Sequence, residues 1–310
     1  MAIKISNELM NGFATEYLMQ AIGKMSGSAF NLATNYHKGD AIDENNFLEL
    51  TNLMEDRDPD ATSNLTDKEL STGEISMSKA FFTTGSIGIN RSTMLRYGGS
   101  TDAFSRIAGE QYAKALLVFM LNRGLLAAVA AIGTNSDMVE GDGTGKLSYD
   151  FLNKMNAKFG DASSLLQTNV GTGAEWHTLV GESIGTTIDT VGGMAILTGN
   201  AAALGRDYFA TDSTSLDLQA KKWAVLSLVS GAIKLQESEE RDVLLEKYGG
   251  KSNIRFRFQA EGAFDVGVLG YSFNNAKKAT SVEIKKAANW NKIATDNKST
   301  AGVLGKVLRA

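Results

Sequence analysis

The 310-residue chain is 43% hydrophobic and 21% charged, a balance that excludes wholesale disorder in a chain long enough to bury a substantial core. Its 31 basic residues stand against 35 acidic ones, and the formal charge of −4 excludes the electrostatic footprint of a dedicated nucleic-acid binder. Cysteine is absent, which excludes disulfides, thiolate nucleophiles and thiolate metal sites together and leaves stability to packing or assembly. With Pro59 the only proline, turns must rely on glycine, asparagine and serine, a pattern expected of an intracellular product.

From the N-terminus, Glu8, Asn11 and Glu16 interrupt any apolar run before Gln20, so no secretion signal is expected. Residues 1–70 alternate short apolar pieces (Phe13, Tyr17, Leu18, then Phe47, Leu48, Leu50) with a polar run from Glu55 to Glu69. They read as an N-terminal arm ordered by what it lies against. Residues 71–100 read as an extended loop, with Phe81, Phe82, Ile87 and Ile89 broken by Gly85 and Gly88, and with Gly98-Gly99 closing it. An excursion of this kind points to another chain as its partner, so those four apolar residues are candidate inter-subunit contacts.

The clearest expected element is a helix from about Asp102 to Ala131, capped by Ser100 or Thr101, with Phe104, Ile107, Ala108, Tyr112, Ala115, Leu116 and Phe119 at helical spacing. About 30 residues make roughly 45 Å of helix, and no heptad pattern continues on either side, so it reads as a strut. Ala115 to Ile132 is long enough to span a bilayer, but Asn122 and Arg123 stand at its centre. An arginine there costs roughly 2.5 to 3.5 kcal/mol, so a buried helix and no membrane association are expected.

A second helix, Ser148 to Phe159, places Tyr149, Leu152, Met155 and Phe159 on one face and stops at Gly160. Strands are expected at Met194–Thr198, Trp223–Val229 and Ala232–Leu235. From Asn253 the alternation of Ile254, Phe256 and Phe258 with Arg255, Arg257 and Gln259 predicts a half-buried strand. Ala260-Glu261-Gly262 reads as a turn and the run from Phe264 to Phe273 as the returning strand of a hairpin. Arg255 and Arg257, on one face, are further inter-subunit candidates, free to meet a neighbour's acidic groups, packaged DNA or solvent.

Motifs that would carry chemistry fail on context. Gly181-Glu182-Ser183-Ile184-Gly185 matches a nucleophile elbow, but an elbow needs a strand before its serine and a histidine after it in the chain. Here Trp176–Val180 reads as helix and Thr186–Thr190 as extended, while both histidines, His37 and His177, precede Ser183. Gly143-Thr144-Gly145-Lys146 hints at a phosphate loop, but Glu140 replaces the first glycine and Leu147 the magnesium-binding hydroxyl. Asp56, Asp58 and Asp60 alternate without the glycine and terminal glutamate of a calcium loop, and read as a solvated acidic run. His177, beside Trp176 on an amphipathic helix, reads as a packed or surface residue. No catalytic, cofactor or metal residue is expected, and no enzyme activity.

Taken in order, DFLNKMNAKFGD (Asp150–Asp161) with EWHTLVGESI (Glu175–Ile184), KWAVLSLVSGAIKL (Lys222–Leu235), GVLGYSF (Gly267–Phe273) and ANWNKIAT (Ala288–Thr295) resemble successive segments of the HK97-fold major capsid proteins of tailed bacteriophages. Thr198-Gly199-Asn200 departs from that pattern, since members often carry a proline or an acidic residue there. The resemblance implies an α+β, HK97-type capsid fold. Its expected parts are an N-terminal arm at 1–70, an extended loop at 71–100, a peripheral domain with the spine helix at 101–147 and 236–310, and an axial domain at 148–235. It also implies self-assembly into homo-pentamers and homo-hexamers of an icosahedral head enclosing double-stranded DNA without sequence-specific binding. Scaffolding and portal proteins, with decoration proteins as an optional addition, are the implied partners. The implied location is the virion, after assembly in the bacterial host cytoplasm. An encapsulin-like compartment shell, which shares the fold, and a soluble α+β enzyme are the competing readings.

Overall fold

The computed structural model describes residues 29–39, 41–47, 72–90, 92–93, 96, 101–191, 204, 206–249, 252, 254–274 and 277–309. The chain enters through β1 (Phe30–Thr34), β2 (Ala41–Phe47), β3 (Thr72–Thr83) and β4 (Ile87–Asn90), then the long helix α1 (Thr101–Ile132). Next come β5 (Val139–Glu140), α2 (Tyr149–Ala157), β6 (Leu166–Gly171) and α3 (Gly173–Val191). Strands β7 (Asp207–Ala210), β8 (Asp217–Gln219), β9 (Lys222–Val229), β10 (Ile233–Glu237), β11 (Asp242–Tyr248), β12 (Arg255–Val268) and β13 (Tyr271–Phe273) follow. The short helix α4 (Ser281–Ile284), β14 (Trp290–Lys292) and β15 (Gly302–Leu308) complete it.

These strands form two sheets. The larger joins β1, β10, β12, β13 and β14, with β11, β3 and β4 also on β12 and with β2 on β3. The smaller joins β5, β15, β9, β6 and β7, with β8 on β9. Helix α1 connects them: Gly124 lies against Ile233 and Leu235 of β10, while Gly133 lies near Leu304 of β15. At 32 residues it is about 48 Å long.

The helix expected at 102–131 is present, with a different buried stripe over its first half. Tyr112, Ala113, Leu116 and Met120 are buried, while Ile107 and Ala115, expected on the stripe, face outward. From Leu125 to Ile132 nearly every residue is buried, because this stretch lies between the two sheets. α1 is the one helix among the described residues long and apolar enough to cross a bilayer, and half of its most apolar stretch is buried inside the protein. Arg123 lies 5.0 Å over the Phe119 ring, and burial draws its guanidinium below the usual arginine range.

α2 forms as expected. The Ser148 hydroxyl accepts a hydrogen bond from the Phe151 amide, Leu152, Met155 and Phe159 are buried, and Gly160 takes the left-handed conformation (φ 55°) that ends the run. α3 starts from a reciprocal cap in which Thr172 Oγ1 accepts from the Glu175 amide and Glu175 Oε2 accepts from the Thr172 amide. Burial holds the Glu175 carboxyl above its usual range. The helix continues through Thr186–Thr190, which sequence reasoning read as extended.

Two further expectations are corrected. The hairpin turn at Ala260-Glu261-Gly262 is absent, and β12 is a single 14-residue strand. The reason lies in distant neighbours: Ala260 and Glu261 pair with Val243 and Asp242 of β11 on one edge, and Glu261 and Gly262 pair with Thr83 and Phe82 of β3 on the other. Gly262 is there for close packing, because a Cβ would stand 2.9 Å from the Phe82 ring. The chain reverses at Leu269-Gly270 instead, where Gly270 has φ 78° and Val268 pairs with Tyr271.

Residues 72–83 and 87–90, expected in a loop with few local partners, are strands paired to β12. Within the expected arm, β1 lies parallel to β10 and β2 pairs with β3. Likewise, β15 joins the sheet of residues 166–229 rather than the one that holds residues 255–292. The strand expected at Met194–Thr198, the cap at Ser100, the Gly98-Gly99 pair that closes the loop, the departure at 198–200 and the polar run 55–69 lie outside the described residues.

The Gly124 contact has a measurable consequence. A Cβ there would stand 2.7 Å from Ile233 Cγ2, so Gly124→Val must push α1 off β10. Intrinsic helix propensity favours valine over glycine, yet overpacking costs about 1–3 kcal/mol. The urea midpoint of Gly124→Val is expected to fall below wild type, and an unchanged or raised midpoint would contradict the packing.

Candidate assembly surfaces

The candidate contact residues from the sequence separate once placed. Phe82 turns inward, with its ring centroid 6.4 Å from Phe119 and 6.1 Å from Phe264, joining β3, α1 and β12 in one aromatic cluster. Its neighbour Phe81, on the opposite face of the strand, is 58% exposed. Ile87 and Ile89 stand on β4 opposite Phe258 and Phe256, and their side chains lie outside the described residues. Arg255 and Arg257 face Tyr248 and Glu246 of β11 in the strand register. Arg257 is 3.9 Å from the Glu246 carboxylate and 4.9 Å from the Tyr248 ring, so it is already engaged within its own chain. Both members of that ion pair are about half exposed, which keeps its contribution small.

The motifs that tempted a catalytic reading lie in ordinary structural contexts. Residues 181–185 are interior to α3, with neither a preceding strand nor a turn at Ser183. The segment 142–145 is a turn in which Asp142 Oδ1 accepts from the Thr144 amide and hydroxyl, and Gly143 has φ 82°. His177 is exposed, and Asp56, Asp58 and Asp60 lie outside the described residues.

Sequence reasoning missed a buried polar clasp where arm, ribbon and body meet. Beyond β1 the chain stays along the end of β10, with the Asn35 and His37 amides donating to the Glu237 and Ser238 carbonyls. His37 Nε2 reaches Asp265 Oδ2 of β12 at 2.8 Å, across 228 positions of sequence. Lys79 of β3, only 3% exposed, donates to the His37 carbonyl and to Glu239 Oε1, both at 3.1 Å. Asp265 is wholly buried, and burial raises its carboxyl above the usual range while His37 and then Lys79 oppose the shift. The only signal in the sequence is a charge interrupting the apolar run Ala263–Val268, a residue that needs a partner wherever the run is buried.

That raised carboxyl gives stability a definite pH slope. The native state keeps the Asp265 proton to higher pH than the unfolded chain, so its contribution is fully present below the unfolded value and is lost as pH rises through the folded one. In urea titrations at pH rising from the unfolded aspartate value of about 3.9, the stability of wild type relative to Asp265→Asn is expected to decline. A difference that stays flat or grows would contradict the assignment.

Comparison with solved structures places this architecture among phage capsids. The chain is similar to the cyanophage Pam1 capsid asymmetric unit, with a TM-score of 0.58 and 12% identity over 100% of this chain and 94% of that one. It is similar to a chain of Mycobacterium phage Adephagia (TM-score 0.51, 10% identity, 91% of this chain, 88% of that one). The acid-stable capsid of Helicobacter pylori bacteriophage KHP30 is also similar (TM-score 0.51, 7% identity, 91% of this chain, 88% of that one). At such identities the likeness is one of fold, here α+β and HK97-like. No curated protein matches the chain. The model of the Gp13-like family, described as major capsid protein 13-like, matches residues 2–304. The chain therefore belongs to that family: it is a major capsid protein, a self-associating shell subunit of a phage head, carried in the virion capsid.

Proposed function

We propose that copies of this chain close into pentamers and hexamers and that these build an icosahedral head around double-stranded DNA. The observation that carries this reading is a set of large apolar side chains left open by an otherwise packed body. Ile107 and Val118, 48% and 57% exposed, lie three helical turns apart on one outward face of α1, while Phe81 and Leu244 are each 58% exposed on neighbouring parts of the larger sheet. Residues of this kind in a subunit gain by being covered with further copies, and repetition by symmetry closes a shell. The net charge of −4 suits a wall that lines a genome without gripping it, since strong phosphate binding opposes packaging and ejection. Assembly takes place in the host cytoplasm with scaffolding and portal proteins, and with decoration proteins where present. The subunit acts through contacts and carries out no catalysis of its own.

Electron microscopy of the expressed full chain tests the reading. Closed shells, with nuclease-protected DNA in particles purified from infected cells, are expected; a protein that stays monomeric or dimeric under all assembly conditions defeats it. Shells that hold protein cargo and no DNA favour the encapsulin-like alternative.

A second experiment isolates the ribbon. Phe47 pairs with Thr72, so replacing residues 48–71 by Asn-Gly closes β2 and β3 through a two-residue turn that the register accepts. The variant is expected to fold, judged by an unchanged cooperative melt, and to fail in shell formation. Normal particles from it would remove residues 48–71 from assembly.

A further inference from the structure

Two surfaces of the subunit are opposite in charge, and one of them bears an exposed aromatic ring. On the larger sheet, Phe81 and Phe82 line a cleft of about 430 Å³ whose walls carry Glu239, Glu240, Asp242 and Glu261. Lys79 holds Glu239, whereas Glu240, Asp242 and Glu261 form no ion pair among the described residues. Asp242 and Glu261 stand directly opposite each other in the register of β11 and β12. Like charges in that position repel and weaken the pairing, so the isolated subunit bears a cost that an outside cation would turn into a gain.

The second surface surrounds α4. Residues 277–286 hold four exposed lysines (Lys277, Lys278, Lys285, Lys286) against the single carboxylate of Glu283. Lys286 is paired with Glu283 at 2.6 Å, while Lys285 meets no carboxylate among the described residues. Between α4 and α1 runs a groove of about 660 Å³ with Leu126 and Val282 on its walls and Lys285 and Lys286 at its rim. Val282 is 64% exposed, the most open of the large apolar side chains in the described body.

The cleft and the groove share no residue, so a contact between them joins unlike patches of two copies. We propose that Phe81 of one subunit seats in the α1–α4 groove of the next, with Glu240, Asp242 and Glu261 facing Lys277, Lys278 and Lys285. Each copy then offers one aromatic knob and one groove, and the contact propagates head to tail until a ring closes. Phe81 is the desolvated anchor, and the charges around it select partner and register rather than supply most of the affinity. This contact rests on the reading that the subunits form rings.

The absence of cysteine makes the contact directly testable. Thr83→Cys and Ser281→Cys, which line the cleft and the groove and leave Phe81 and Val282 in place, combined in the full chain and treated with a short bismaleimide after assembly, are expected to give a ladder of covalent multimers. Either substitution alone gives no ladder. In parallel, Glu240→Lys with Glu261→Lys should lower shell yield about tenfold, as should Lys278→Glu with Lys285→Glu, and combining all four should restore most of the yield. Melting curves establish that each variant is folded, and the cross-link decides the matter if a charge variant is not. Shells that form normally without the ladder, or folded single-face reversals that assemble at wild-type yield, overturn the contact and leave the ring reading standing. A wild-type chain that forms neither rings nor shells removes both.

Discussion

Strand β12 is the constraint on which the larger sheet depends. Its 14 residues are shared among β10 and β11, which pair with different stretches of it, and β3 and β4, which do the same. A strand of that length spans about 46 Å, close to the length of α1, and the Phe264 ring joins the two through Phe119 at 6.0 Å. Backbone pairing on both sides keeps the strand extended through Ala260-Glu261-Gly262, where local composition favours reversal. Once β12 is straight, the positions of the ribbon, of β1 and of the exposed Phe81 follow from register.

The clasp around Asp265 shows how such an assembly of distant segments is held in one arrangement. A buried carboxylate, a buried lysine and a histidine have no reason to sit together except that β1's continuation, β3, the end of β10 and β12 all meet there. Buried ionic groups of this kind add little net stability over apolar ones, but leaving one unpaired is expensive. A misregistered strand would do that, because a one-residue slip turns Lys79 or Asp265 to the wrong face.

Local periodicity made some of this fold legible before any coordinates. α1 announces itself through spacing and length, α2 through its cap and spacing, and β9 and β10 through short apolar runs with glycine between them. What stayed hidden depends on pairing between segments far apart. The strands at 72–83 and 87–90 read as loop because glycines and polar residues dilute their apolar pattern, and β12 fixes them. Thr186 to Thr190 read as extended, whereas the helix that starts at the Thr172–Glu175 cap runs on to Val191. For the contact surfaces, the sequence singled out Phe81 and Phe82 together; only the pleat separates the exposed ring from the core one. The family resemblance came from the order of several weak motifs, none of them tied to chemistry.

The pairing of β1 with β10 has a consequence for the timing of synthesis. Phe30 waits for Ile233, about 200 residues downstream. At translation rates of about 5–20 residues per second, that is some 10 to 40 seconds during which a nascent chain carries β1 without its partner strand. Until β10 is made, each nascent chain carries an unpaired hydrogen-bonding edge, and crowded polysomes expose many such edges at once.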